Sequence, residues 1–334
     1  MRKLNVSGVL TAAGGLALLI WVVHRVGLAE IAADVAQVGW GLLAIVAIGG
    51  LRFLLRATAW RLCVEPPHRL PLRDAFAAAV CGDAIGNLTP LGPLVGEPAK
   101  AAFVRGRIAL GAAATALAIE NVLYTLSAAA MIGAGMVALL FYFRVPPALH
   151  RVSEAAVAGT VALFAIALWL LWRQPALVSR ALGVTPRLQR HAARVRDLEA
   201  RIYSFASRRA SRLPGIAAAE VGFHALGVTE VYLTLWLLYG SRPALLTSFI
   251  LETLNRLIQV VFKIVPLRLG VDEAASAWFT DVLGLGPQTG LTLAIVRKVR
   301  MLFWTAAGGV LLIRQGLFTE ARTVQPETDE RAGS

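Results

Sequence analysis

The sequence predicts an all-α polytopic membrane protein, with about six full transmembrane helices and two re-entrant broken segments arranged as an inverted internal repeat. Three observations predict it. Apolar residues fill 57% of the 334 positions and the mean hydropathy is +0.66, against roughly 45–50% apolar content in soluble domains. Six apolar windows, 8–23, 40–62, 110–143, 155–172, 216–238 and 291–313, approach or exceed the roughly 20 residues that cross a hydrocarbon core of about 30 Å. The motif P-L-x-x-x-V-x-E occurs twice, at 90–97 and at 266–273.

The first window, 8–23, lacks a small-residue cleavage site before the next amphipathic turn and is expected to be a retained helix, not a signal peptide. The second, 40–62, carries Arg52 and Arg56 and ends in a loop holding Arg61, Arg69 and Arg73. Between 72 and 88 an apolar segment is too short to cross and is interrupted by Pro90, Pro93 and Pro98. The long run 110–143, the window 155–172 and a basic linker at 174–212 follow, with nine arginines against Asp197 and Glu199 in the linker. The windows 216–238 and 291–313 flank a second short segment, 244–264, and a polar tail at 319–334 is expected to be flexible. The whole of 1–318 reads as one membrane domain, with repeat A over about 40–143 and repeat B over about 214–313.

Charge sets the orientation. The net charge is +13 and 29 of the 33 basic residues are arginine. Most flank apolar helices, where Arg and Lys orient membrane proteins, so nucleic acid is excluded as the partner this excess serves. The positive-inside rule puts the N-terminus, the Arg61–Arg73 loop and the 174–212 linker in the cytoplasm. Three full crossings between 72 and 173 would then leave the linker outside. Re-entry of 72–88 restores parity, as would a split of 110–143 at Gly133 and Gly135; re-entry accounts better for the prolines and for Lys100, Arg105 and Arg107. Two cysteines, Cys63 and Cys81, are too few for a disulfide framework and suggest no redox chemistry.

Shifting the chain by 176 residues superimposes the halves: 15 identities fall in the 62 positions from 58 to 119. Leu and Ala matches weigh little in this composition. The signal is Trp60 on Trp236 and the twin motifs, with Glu97 on Glu273. Because the linker is inside, the copies run in opposite directions, the plan that builds a midplane site at the repeat interface of many secondary transporters.

Interrupted helices at matching places in two halves point to such a site, since non-helical backbone at membrane depth survives only where protein buries it or a wet cavity borders it. Glu97 and Glu273 sit near the expected starts of helices. Capping by the helix dipole and a role in gating, proton coupling or cargo contact both fit. Arg52 and Arg56, spaced i, i+4, suit either snorkelling or a phosphate site, because guanidinium groups bind phosphate bidentately; Arg297, Lys298 and Arg300 form a similar cluster. Glu252 and Arg256 are spaced for an ion pair, and Asn255, Gln259 and Lys263 extend that stripe as a cavity wall. Asp83 and Asn87 place a smaller stripe in the first short segment. Glu220 and His224 share a face, too few for a metal site, so a satisfied polar contact is expected. Gly82-x-x-x-Gly86 and Gly92-x-x-x-Gly96 match the close-packing pattern of membrane helices. No Walker loop, G-x-S-x-G or H-E-x-x-H occurs, so no cofactor and no catalytic residue is expected.

R-A-T-A-W-R at 56–61, G-N-L-T-P at 86–90, G-E-P-A-K at 96–100, P-L-R-L-G-V-D-E-A at 266–274 and R-K-V-R at 297–300 together resemble the flippase-like transmembrane region of lysylphosphatidylglycerol synthases and its stand-alone relatives. The resemblance spans nearly the whole chain. It implies movement of a phospholipid or related amphiphile between leaflets, and in some members of hopanoid or other polyprenyl-derived lipids. Where the family pattern has an acidic residue followed by Arg, this chain has Glu120 and Asn121, so no charge pair is carried over to those positions. The aminoacyl-transferase domain of the synthases is not represented, and synthase activity is not expected.

The expectation is therefore a flippase-like lipid transporter of the bacterial inner membrane, not an enzyme. Arg52, Arg56 and Lys100 attract an anionic head group; Asn87, Glu252, Asn255, Arg256, Lys263, Arg297 and Arg300 contribute to the path; Glu97 and Glu273 gate or couple. Two alternatives stay open: an integral-membrane enzyme acting on a lipid phosphate or polyprenyl phosphate, and a non-transporting partner of a lipid-synthesis enzyme.

Overall fold

The computed structural model describes residues 36, 38–89, 92–176, 179–180, 189–262, 268 and 270–318. These residues are overwhelmingly helical, with no strand among them. Ten α-helices run in order: α1 Gly41–Cys63, α2 Leu72–Asn87, α3 Pro93–Phe103, α4 Leu110–Tyr142, α5 Pro147–Arg173, α6 Gln189–Arg208, α7 Leu213–Tyr239, α8 Leu245–Val261, α9 Val271–Val282 and α10 Pro287–Phe318. A 3₁₀ turn, Ala210–Arg212, joins α6 to α7.

Among the described residues four helical stretches are long and apolar enough to cross a membrane: Gly41–Cys63, Leu110–Tyr142, Pro147–Arg173 and Ala210–Tyr239. The chain is a multi-pass membrane protein. The window 291–313 lies within α10, whereas 8–23 and the tail 319–334 fall outside the described residues. Helix α4 runs unbroken through Gly133 and Gly135, so the split that would have restored parity is not what forms. At 1.5 Å per residue, the 16 residues of α2 and 17 of α8 reach only about 24–26 Å, and α3 and α9 less. Each falls short of the roughly 30 Å of a hydrocarbon core.

Helix α1 packs along α7, α10 against α2 and α9, α4 against α5 and α8, and α2 against α3. The last helix of the chain thus lies beside the first broken segment, and α4 beside the second. Glycine sets the closest approaches. A Cβ on Gly96 would lie 2.6 Å from the Gly82 carbonyl oxygen, and one on Gly308 2.6 Å from that of Val80, so α2 meets α3 and α10 backbone to backbone. The close-packing pattern expected at Gly82 and Gly96 is what joins α2 to α3. At the α1–α10 crossing, a Cβ on Gly49 or Gly50 would meet the Trp304 indole at 2.8 or 2.6 Å, and that indole donates to the Val46 carbonyl at 3.0 Å.

The basic linker is tied to the end of α1. Arg212 donates to the carbonyls of Leu62 (2.9 Å) and Val64 (2.7 Å), a cation at a helix C-terminus where the dipole favours it. Glu65 in the α1–α2 loop pairs with Arg208 at 3.4 Å. Helix α6 buries Phe205 in the core beneath these contacts. The basic linker and the α1–α2 loop therefore share one face of the protein.

Candidate functional site

Arg52 and Arg56, which in sequence suit either snorkelling or a phosphate site, are largely buried between helices. Arg52, on α1, lies 3.1 Å from Glu230 of α7 and 3.7 Å from Glu252 of α8. Glu252 also accepts from Arg256 (2.7 Å), Arg297 of α10 (3.4 Å) and Asn255 (3.2 Å). Glu230 holds Arg300 as well, at 2.9 Å. Four guanidinium groups from three helices thus converge on two carboxylates, and all six side chains are largely buried. Gly227 makes this possible, since a Cβ there would lie 2.6 Å from Glu252 Oε1.

Arg56 is engaged separately. Its Nε lies 2.6 Å from Glu120 Oε1, and its Nη2 donates to Glu120 Oε2 at 3.0 Å and to Asn121 Oδ1 at 3.3 Å. No charge pair carries over to Glu120 from the family pattern, where Arg follows the acidic residue; the structure gives Glu120 a partner all the same, from α1 and not from the next residue. Aromatic faces order these cations. Arg56 sits 3.9 Å over the Tyr124 ring, whose hydroxyl accepts from Arg256 at 3.1 Å. Arg52 and Arg256 lie 4.5 and 5.3 Å from the Phe223 ring centroid. Cation–π contacts of this kind are strongest in desolvated surroundings.

These groups border a cavity of about 250 Å³ between α1, α2, α3, α4, α7, α8, α9 and α10. Among the described residues eight cations line it, Arg52, Arg56, Lys100, Arg256, Arg268, Arg297, Lys298 and Arg300, with Asp83 and Asp272 as the carboxylates in the lining. Asn87 and Asn255 belong to the wall too; Asn87 donates to Asp83 (2.9 Å) and to Thr305 of α10 (3.1 Å). Glu97, Glu252 and Glu273 stand behind the wall and hold its cations in place. Glu97 accepts from Lys100 at 2.6 Å and from Asn121 at 2.9 Å, and Glu273 pairs with Lys298. Lys263 lies outside the described residues.

The two equivalent glutamates differ. Glu273 occupies the third position of α9 and accepts the Gly270 N–H at 2.8 Å, so it caps its helix. Glu97 is in the second turn of α3, which begins at Pro93 with no acidic residue in its first turn. The capping role expected of both holds for Glu273 only. Glu220 and His224 meet at Ser127, whose Oγ lies 3.1 Å from His224 Nε2 and 3.4 Å from Glu220 Oε2; Glu220 Oε1 and His224 Nδ1 are buried without a hydrogen-bond partner among the described residues, so the satisfied contact expected of the pair is only half made. Among the described residues no group of three or more His, Cys, Asp or Glu side chains is placed to hold a metal ion.

Sequence reasoning missed Glu230, Glu120, Tyr124 and Phe223. A second carboxylate in the apolar run of α7, ten residues after Glu220, was the available signal for Glu230, because ionisable residues inside membrane helices face the interior and find partners there. Nothing in spacing distinguishes Tyr124 or Phe223 from ordinary core aromatics.

The chain matches the family model described as "Lysylphosphatidylglycerol synthase TM region" over residues 5–309. No curated protein and no solved structure matches it.

Proposed function

The chain belongs to the lysylphosphatidylglycerol synthase TM-region family, and from that premise we propose that it moves a phospholipid or related amphiphilic lipid with an anionic head group between the leaflets of the bacterial inner membrane. Membership ties the chain to membrane lipids. The observation that carries the transport reading is the cavity itself: eight cations lining a chamber inside an apolar helical bundle. Buried cations attract and orient a head group because water no longer screens them. Carboxylates set behind them keep each one in place while the chamber is empty.

The inverted-repeat plan supports this reading. Exchanging α1–α4 with α7–α10 maps the packing onto itself: α1 on α2 corresponds to α7 on α8, α10 on α2 to α4 on α8, and the central α1–α7 pair to itself. Gly92 and Arg268, 176 positions apart, both hold a left-handed backbone, with φ of 41° and 46°. The cavity lies where the two sets meet, the location such architectures use for cargo. The short lengths of both pairs support their re-entry. The clustering of the basic linker with the α1–α2 loop supports a cytoplasmic location for that face under the positive-inside rule.

Purified protein in vesicles with a fluorescent lipid in one leaflet tests the reading. Leaflet exchange faster than in protein-free vesicles is expected, and its loss in Arg297→Gln/Arg300→Gln protein that remains folded. No acceleration across anionic and zwitterionic lipids would overturn it. Recovery of a chemically altered lipid would favour the enzyme alternative.

A further inference from the structure

The carboxylates do not balance the cations evenly. Arg56 is closed by Glu120, Lys100 by Glu97, Lys298 by Glu273 and Arg268 by Asp272. Each of these is one cation against one anion. At the centre, among the described residues, Arg52, Arg256, Arg297 and Arg300 share only Glu230 and Glu252 as ion-pair partners. That group carries two positive charges beyond its ion-paired carboxylates, and its members are largely buried. Asp83 borders the same cavity, on α2, hydrogen-bonded to Asn87 and within Coulombic reach of Arg300 and Lys100, but makes no ion-pair contact among the described residues. The Nε–H groups of Arg52 and Arg256 are buried with no hydrogen-bond partner among the described residues.

Uncompensated buried charge is among the most unfavourable features a fold can carry, and it is relieved by an ion of opposite sign and equal magnitude. The guanidinium groups in the lining indicate what that ion looks like: planar forks match the oxygens of a phosphoryl group. An ordinary phospholipid is a phosphodiester and brings one negative charge. A phosphomonoester brings about 1.5 to 2 at neutral pH and a third free oxygen. We propose that the cavity selects lipids whose head group ends in a phosphomonoester, in preference to phosphodiester lipids. This rests on the transport reading only for the claim that the bound lipid is also moved; the preference itself concerns binding.

The test has separate arms for binding and for movement. Purified protein is titrated with short-chain phosphatidic acid, a monoester, and short-chain phosphatidylglycerol, a diester, following thermal stabilisation. Phosphatidic acid is expected to bind roughly tenfold tighter, the worth of one additional charge-assisted hydrogen bond. Equal or weaker binding overturns the proposal. In Arg297→Gln and Arg300→Gln, each losing one of the two excess charges, the preference is expected to fall to about twofold; an undiminished preference in folded protein also overturns it. Glycerol 3-phosphate, which has the same phosphoryl group and no acyl chains, is expected to compete poorly. Competition as strong as that of phosphatidic acid would assign the cavity to soluble phosphate esters and overturn the lipid assignment. In vesicles, faster exchange of labelled phosphatidic acid than of labelled phosphatidylglycerol supports the proposal. Tighter binding without exchange of either supports the preference and sinks the transport reading alone.

Discussion

Replacing Glu252 with glutamine keeps its size and shape and removes one charge. In the native protein this carboxylate lies 2.7 Å from Arg256, 3.4 Å from Arg297 and 3.7 Å from Arg52, and is 1% exposed. After the change, Arg52 and Arg300 retain Glu230, Arg256 and Arg297 lose the carboxylate they pair with, and the local excess rises from two charges to three. Removing one partner of a buried ion pair costs about 3–5 kcal/mol, because the remaining charge stays desolvated and unpaired. Three guanidinium groups share the loss, so the upper part of that range is expected. Unfolding in mixed micelles under increasing denaturing detergent measures it. Glu252→Gln/Arg256→Gln restores the original balance and should recover about 1–3 kcal/mol, the coupling energy typical of directly paired residues. A single-variant loss below about 1 kcal/mol, or a double variant whose losses simply add, would refute the idea that the network is held by unscreened charge.

Gly96→Val drives a side chain into the Gly82 carbonyl, 2.6 Å from the first added carbon; separation of α2 from α3 should cost about 1–3 kcal/mol or more, read as a lower unfolding midpoint. Gly227→Ala places its methyl 2.6 Å from Glu252 Oε1 and should loosen the same arginines by about 1–3 kcal/mol, and Glu252→Gln should lose less in that background than in the native one. Glu273→Ala removes both a helix cap and the Lys298 counter-ion, whereas Glu97→Ala removes no cap; hydrogen exchange in the first turn of α9 should rise in the former, with a cap worth about 1 kcal/mol, while the first turn of α3 stays protected in the latter.

Composition and window length alone identified a multi-pass helical membrane protein, because the hydrocarbon core dictates helix length and admits few other backbones. Glycine spacing at Gly82 and Gly96 and the i, i+4 pairing of Glu252 with Arg256 were legible for the same reason: both depend on geometry within one or two turns of helix. Most of the cavity wall was legible as well, since Arg52, Arg256, Arg297 and Arg300 are ionisable groups in apolar runs, and such groups turn inward. What each one meets was not. Arg52 and Glu230 lie 178 positions apart, and Arg56 and Glu120 are joined across two helices. Only the packing of α1 against α7, α4 and α10 decides that Glu230 and Glu252 are shared among four arginines, and so that the cavity keeps two positive charges unmatched. Charge patterning along a chain records the sign and number of its ionisable groups. Distance in space decides which of them neutralise one another, because Coulomb attraction and desolvation depend on separation and burial, neither of which sequence spacing encodes beyond a helical turn.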